Sequence, residues 1–315
     1  MNNPDVSAVV ISLNSRKFLR GCLDSLRAAE WDEFSYEIVV VDNGSTDGSQ
    51  EMLRAEYPTV RLVENKENLG FSIAANQGAR ASAGRYFLLL NDDIIIHPDA
   101  IPRLVRFMDQ HPDAGMTGSR LLNTDGTDQF SSGRTFPTPM NALFGRKSAL
   151  TRLFPNAPWA RGYLLSHRIS ENEPYEVDWL SAAALLARRQ LYLDLGGLPE
   201  DFYYFVEILY CDIMKKAGYK IYLDPKSLIT HFEGAGSGVR TRRVRRRHII
   251  RFHVGAFRWY CLHRGFGAWN PLRYLVGAVL GLRAGLLVVA DTLRIVREKQ
   301  HPALAGGGPE GGVRI

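Results

Sequence analysis

Two apolar runs, Ile38 to Val41 within YEIVVVD and Phe87 to Leu90 within YFLLL, show no polar alternation. A strand with one face in water alternates polar and apolar side chains. Strands that do not alternate are buried on both faces, and this happens chiefly where helices cover both sides of a parallel sheet. The chain supplies those helices in order. VSAVVISL is followed by a helical pattern near Lys17 to Ala28, YEIVVVD by one near Gly48 to Glu56, VRLVEN by one over Phe71 to Ser82, and YFLLL by one entered through Pro98. The alternation predicts an α/β fold built on a Rossmann-like, mostly parallel sheet with flanking helices. At 315 residues there is room for one such core and an appendage.

From Phe130 to Pro174 the pattern breaks into Pro, Gly, Ser and Arg, a length that predicts a functional loop, either a lid or an acceptor-side segment. Regularity returns with strand-like YEVDWLSAAALLARR, a helix from Arg189 to Leu195, the GGLPEDF turn, a helix from Glu207 to Ala217, and the strands YKIYLD and SLITHF.

Charge is distributed unevenly. Residues 234–290 hold eleven arginines and no Asp or Glu, which leaves −5 on the rest of a chain whose net charge is +6. Between Arg240 and Arg264 these arginines alternate with aromatic and aliphatic residues. That mixture favours an anionic membrane surface over nucleic acid as the partner. The following apolar stretch, Leu272 to Ala290, is interrupted by Arg273 and Arg283. A spanning helix needs about 20 mostly apolar residues, so the stretch is expected to lie in the interface. The Gly-rich end, 301–315, is expected to be a disordered tail. Three widely spaced cysteines, Cys22, Cys211 and Cys261, form no disulfide framework, and Asp5 precedes the first apolar run where a signal peptide would be basic. The expected location is cytoplasmic, peripheral at the inner face of the cell membrane.

In open α/β sheets ligands bind beyond the carboxyl ends of the strands. Two polar clusters end apolar runs. Asp42-Asn43-Gly44-Ser45 offers a carboxylate and an amide to a base or ribose, with Gly44 permitting a close turn; an Asx turn capping the next helix is the alternative. Asn91-Asp92-Asp93 offers oxygens to a divalent cation, and a solvated acidic turn is the alternative.

These residues, with VVISLNSRKFLRGCLDSL, ENLGFSIAANQGA, EVDWLSAAALLARR and AGYKIYLDP followed by ITHFEGAGS, resemble the family 2 glycosyltransferases, in particular their rhamnosyltransferase-like branch, from about Val6 to Gly238. The resemblance implies a GT-A domain over 1–238, with a nucleotide-binding half at about 1–125 and an acceptor half at about 126–238. The basic helical region, 239–300, follows it. It implies inversion at the anomeric carbon and a bound divalent cation, Mn2+ or Mg2+. Asp42 matches the base-reading aspartate, with Asn43, Gly44 and Ser45 beside it. Asn91 and Asp92 lead to Asp93 as the metal ligand, and His231 matches a histidine that can join the metal. Phe71 and Asn76 would lie below the nucleotide, unless they are simply packing residues.

The family's catalytic base lies in an acidic motif before a cysteine and a short helix ending in Ala-Gly. FVEILYCDIMKKAG is the matching stretch and puts Glu207 at the base position. Val206 and Leu209 stand where the family usually has further acids, so Glu207 acts alone, Asp212 assists it, or the activity is weak; a carboxylate placed to suit the helix dipole is the alternative. Asp178 and Trp179 match an acceptor-side segment in which an aromatic face can stack on a sugar; a core tryptophan beside a turn aspartate is the alternative. The implied reaction moves a sugar from a nucleotide-sugar donor to a lipid-linked saccharide acceptor in cell-envelope polysaccharide synthesis. Rhamnose from dTDP-rhamnose is the first expectation and a UDP-sugar the second. A sugar-phosphate nucleotidyltransferase would need a Gly-rich, Arg-bearing loop where this chain has SLNSRKFL. A nonenzymatic nucleotide-sugar-binding protein is the other rival, motivated by Val206 and Leu209.

Overall fold

β1 (Val6–Ser12) is buried along its whole length and lies between β2 (Tyr36–Asp42) and β4 (Tyr86–Asn91), parallel to both. In this computed structural model, which describes residues 3–129, 132–138, 165, 168, 171–232 and 242–300, these three strands form the centre of the parallel part of the sheet. β3 (Arg61–Glu64) pairs outside β2, again parallel. Most of the loop expected from Phe130 to Pro174, and the tail 301–315, lie outside the described residues.

Helices cover both faces, as the unalternating runs require. α1 (Arg16–Ala28) and α4 (Ala100–Gln110) bury Leu19, Leu23, Leu26, Leu104, Val105 and Met108 in one cluster with Val6, Ala8, Val10, Val40, Leu88 and Leu90. Fully burying each such side chain is worth about 1.5–3 kcal/mol relative to exposure. α3 (Phe71–Ala81) covers the residues that point the other way. It approaches so closely at Gly78 that a Cβ there would lie 2.3 Å from Val9 Cγ1. α2 (Ser49–Glu56) follows β2.

The sheet continues through β10 (Ala184–Arg188), β6 (Ala114–Leu122), β11 (Lys220–His231) and β5 (Ile94–Ile96), giving the order β3-β2-β1-β4-β10-β6-β11-β5, with β8 (Tyr175–Glu176) paired to β11. The parallel arrangement expected from the sequence holds for β3-β2-β1-β4 and for β6 with β11. β10 runs antiparallel to both its neighbours, and β5 and β8 are antiparallel to β11, so the sheet as a whole is mixed. The EVDWLSAAALL segment is divided among β8, β9 (Trp179–Leu180) and β10, with β9 pairing β7 (Gly133–Arg134) in a separate two-stranded ribbon. YKIYLD and SLITHF, two strands by pattern, are one strand with a register shift between Asp224 and Leu228. α5 (Arg189–Asp194) and α6 (Val206–Lys216) complete this unit.

A second compact unit contains α7 (Arg242–Arg264) and α8 (Pro271–Gln300), together with Tyr203–Phe205. The turn between the helices is written in its residues. Gly265 takes φ +66°, Asn270 Oδ1 accepts the Leu272 amide at 3.0 Å, and Pro271 opens α8. The two arginines that interrupt the apolar pattern of α8 are occupied within this unit. Arg283 Nη1 donates to His253 Nε2 at 2.7 Å, and Arg273 Nη1 donates to the Phe266 carbonyl at 3.1 Å with its guanidinium over the Phe257 ring. Leu275, Val279, Leu282, Leu286 and Val289 are exposed. Pro271–Thr292 is long and apolar enough to cross a membrane by length and composition, with mean hydropathy 1.8.

Candidate active site

The strand order places β1 between β2 and β4, and registration pairs Ser12 with Asp42 and Ile11 with Asn91. Both polar clusters singled out in the sequence therefore emerge at one edge of the sheet, where a ligand can sit over the carboxyl ends of the strands.

At the β2 tip, Asp42 is fully buried. Its Oδ1 accepts the Gly44 and Ser45 amides at 3.2 and 2.9 Å and the Gln50 Nε2 at 2.7 Å, while Oδ2 is buried with no hydrogen-bond partner among the described residues. The Asx-turn reading and the ligand reading thus share one carboxylate, the first on Oδ1 and the second on Oδ2. An unpaired buried acceptor costs about 1–3 kcal/mol, a cost that a donor on a bound base would remove. Asn43 is used up inside the protein: its amide donates to Asn68 and Gly70 and accepts from Asn65 and the Leu69 amide, which clamps the 65–70 loop. Gly44, at φ +89°, is required by the Glu67 backbone, which would stand 2.8 Å from a Cβ. Ser45 Oγ accepts the Asn14 amide at 2.9 Å and ties the loop after β1 to this tip.

At the β4 tip the division is reversed. Asp92 Oδ2 accepts the Leu13 amide and the Ser15 hydroxyl, anchoring the entry to α1, and burial raises its pKa against the pull of the Ser15 hydrogen bond. Asp93 Oδ1 is buried without a hydrogen-bond partner among the described residues. The antiparallel pairing of β11 with β5 sets His231 opposite Ile94, and the Phe232 amide donates to the Asp93 carbonyl at 2.9 Å. His231 Nε2 consequently lies 3.3 Å from Asp93 Oδ1, close but outside hydrogen-bond geometry. A buried carboxylate oxygen with no donor, next to an imidazole nitrogen, is a donor set that suits a divalent cation. Among the described residues no group of three or more His, Cys, Asp or Glu side chains could hold a metal. The nearby Cys22 thiol is pushed well above its ordinary pKa by burial and then by the Asp92 and Asp93 charges. Asn91 ends β4, and its backbone amide donates to the Ala183 carbonyl at 3.0 Å.

Other expected site residues are placed differently. Phe71 opens α3 half-buried. Asn76 is buried and its amide is spent on the 192–200 region, donating to the Leu198 carbonyl and Glu200 and accepting from the Tyr192 hydroxyl and the Leu198 amide. Each Asn76 valence that could reach a nucleotide is taken. Trp179 is buried, with its indole Nε1–H donating to the Thr135 carbonyl at 3.0 Å and the Arg134 guanidinium over its ring, so the stacking face expected for an acceptor is covered. Asp178 holds Lys215 at 2.7 Å and accepts the Phe136 amide at 2.8 Å. In both cases the polar groups that suggested a ligand find partners across the chain.

Glu207 lies in the first turn of α6. Although Glu207 is half-buried by exposure, its carboxylate is surrounded closely enough that desolvation raises its pKa, against the pull of its own backbone amide and then of the Arg134 charge. Asp212 is buried and paired with Lys216 at 2.8 Å. Five residues along a helix turn through about 500°, which leaves Asp212 about 140° around from Glu207 and on a different face.

Sequence reasoning missed Gln50, Asn65, Asn68 and Gln129, all of which hold site residues in place. Asn68 was visible as the polar residue within ENLGF; the others carry no local signal.

The family model described as Glycosyl transferase family 2 matches residues 7–166 of this 315-residue chain. The N-acetylglucosaminyl-diphospho-decaprenol L-rhamnosyltransferase of Mycobacterium tuberculosis H37Rv is 29% identical over 306 residues, covering 92% of this chain and 95% of that protein. A solved structure of the mannosyltransferase PcManGT from Pyrobaculum calidifontis, in complex with GDP-Man and Mn2+, superposes with TM-score 0.58 at 18% identity, covering 98% of this chain and 78% of that one. GalNAc-T7 with UDP, GalNAc and Mn2+ follows with TM-score 0.55 at 16% identity, over 78% of this chain and 47% of that one. The last two likenesses establish the GT-A fold.

Proposed function

Because the chain belongs to glycosyl transferase family 2 and is a glycosyltransferase, we propose that it transfers rhamnose from dTDP-rhamnose, with inversion, to a lipid-linked N-acetylglucosaminyl diphosphate at a membrane surface. The observation that carries the site assignment is the pair of buried, unpartnered carboxylate oxygens, Asp42 Oδ2 and Asp93 Oδ1, at neighbouring strand tips. The full-length similarity to the mycobacterial rhamnosyltransferase supports the substrates.

In this reading Asp42 Oδ2 accepts the N–H of the donor's pyrimidine base, and its Oδ1 bonds keep it from turning away. Asp93 and His231 would hold a divalent cation, Mn2+ or Mg2+, which when bound would supply positive charge against the charge that develops on the departing diphosphate. Glu207 removes the acceptor hydroxyl proton as that oxygen attacks the anomeric carbon from the face opposite the diphosphate. A carboxylate whose pKa is raised by burial is a stronger base than an exposed one and suits that step. Asp178 and Trp179 support the acceptor side as structural residues.

Attachment to the membrane falls to α7 and α8. The turned-in Arg273 and Arg283 leave the outer face of α8 apolar, which favours its entry into the hydrocarbon region over the purely interfacial placement expected from sequence. The arginines of α7 suit anionic headgroups at the inner face. Three free, buried cysteines agree with a reducing compartment.

The test is transfer of radiolabelled rhamnose from dTDP-rhamnose to a synthetic N-acetylglucosaminyl-diphospho-polyprenol by the purified full chain with Mn2+ or Mg2+. The product should carry the anomeric configuration opposite to the donor. Transfer from a UDP-sugar with none from dTDP-rhamnose would overturn the donor, and retained configuration would overturn the mechanism.

A further inference from the structure

His231 is gripped at two points by Gln129. Gln129 Nε2 donates to the backbone carbonyl of His231 at 2.6 Å, and Gln129 Oε1 lies 2.9 Å from His231 Nδ1. A backbone carbonyl can only accept, so the amide nitrogen must be the atom that faces it; this removes the usual ambiguity over which way a glutamine amide points. Oε1 therefore faces Nδ1. An amide oxygen also only accepts, so Nδ1 must carry the ring hydrogen. In the neutral imidazole this leaves Nε2 bare, with its lone pair 3.3 Å from Asp93 Oδ1. Two lone pairs at that distance repel each other unless a cation lies between them.

We infer that Gln129 is a positioning residue that fixes His231 in its metal-binding tautomer and so sets the cation affinity, an inference that rests on the Asp93–His231 reading above. Gln129 is well supported for this task. It is buried, its backbone N–H donates to the Leu121 carbonyl at 3.0 Å, and it follows a tight turn in which the Asn123 backbone N–H donates to the Thr127 carbonyl at 2.7 Å, with Gly126 at φ +81°. Arg120 braces the same hairpin through Asp128 at 2.9 Å. Without Gln129 the ring is free to put its hydrogen on Nε2, which a cation would have to displace. Removing the group that orients a ligating histidine typically lowers metal affinity by about 10–100-fold.

The experiment has two arms on the full chain in detergent. First, nitrogen NMR of histidine-labelled, metal-free protein reads the tautomer, with the His231 signals assigned by their loss in His231→Ala. The unmutated protein should show hydrogen on Nδ1 and a bare Nε2, so this arm does not depend on any variant folding. Second, Mn2+ titration in the presence of dTDP, followed by electron paramagnetic resonance, should show affinity falling about 10–100-fold in Gln129→Leu. In Gln129→Glu, which keeps an acceptor for Nδ1–H, the tautomer and most of the affinity should remain. Hydrogen on Nε2 in the unmutated protein, or unchanged Mn2+ affinity in Gln129→Leu while His231→Ala weakens it, overturns the role of Gln129 alone. Unchanged Mn2+ affinity in His231→Ala overturns the metal site and this proposal with it.

Discussion

The tips of β2 and β4 each carry a polar pair and use it in opposite order. At β2 the first residue, Asp42, keeps an oxygen free while Asn43 is wholly engaged in holding the 65–70 loop. At β4 the first residue, Asp92, is engaged by Leu13 and Ser15, and the second, Asp93, keeps an oxygen free. At β2 both tasks fall on Asp42, whose Oδ1 takes the Gly44 and Ser45 amides while Oδ2 is left over, whereas at β4 they are split between Asp92 and Asp93. Identical residue types at a strand tip are therefore not equivalent, and their partners, not their positions in a motif, tell them apart.

The largest effect should separate Asp93 from Asp92. Asp93→Ala is expected to abolish the Mn2+ dependence of donor binding. Asp92→Ala should act mainly on folding, lowering stability by about 1–3 kcal/mol through the donors it leaves unpaired. Calorimetric titration of dTDP with and without Mn2+, beside urea unfolding, checks both. A greater loss of Mn2+ dependence in Asp92→Ala would reverse the assignment.

Helix α6 repeats the comparison with Glu207, whose pKa burial raises, and Asp212, held by Lys216. Glu207→Gln should reduce turnover by about 10²–10⁴-fold with donor affinity nearly unchanged, and Asp212→Asn should leave turnover near wild type. Because only ionised Glu207 can take a proton, kcat/KM should rise with pH through a value above the ordinary 4.5. The same raised pKa has a stability sign. Its contribution is complete below pH 4.5 and is lost as pH rises through the folded value. Glu207→Gln cannot ionise, so it should match wild type in urea midpoint at pH 4 and exceed it at pH 8. A wild-type advantage at pH 8 would show that Glu207 is stabilised as the anion.

A smaller effect is expected at Asp42. In Asp42→Asn the side-chain oxygen must stay where three donors converge, so the new NH₂ replaces Oδ2 and faces the N–H of the base. Two opposed donors should cost about 1–3 kcal/mol, or roughly 5–150-fold in dTDP affinity. Equal affinities in the variant and wild type would place the base elsewhere. The smallest functional effect should come from Asn43→Ala. It ought to lower the unfolding midpoint through the 65–70 loop, and its effect on dTDP affinity should be less than that of Asp42→Asn in the same titration.

The sequence by itself determined the α/β class and the edge at which the polar clusters emerge, because unalternating runs such as IVVV and FLLL form strands covered on both faces, and the polar residues that end them lie at the sheet's carboxyl edge. It also marked α7 and α8, since the arginines and the apolar stretch are local in the chain. Only the tertiary structure decided what each polar group is bonded to. His231 reaches Asp93 through the pairing of β11 with β5, and Gln129 reaches His231 from a hairpin whose residues give no hint of that partner. Asn76 and Trp179 looked available for ligands, yet their hydrogen-bonding groups are satisfied by residues far along the chain. Arg273 and Arg283 broke an apolar pattern on paper and are turned away from the apolar face in space. Periodicity is a local property that the backbone imposes on neighbouring residues, whereas the satisfaction of a buried donor or acceptor depends on whichever segment the fold brings within about 3 Å.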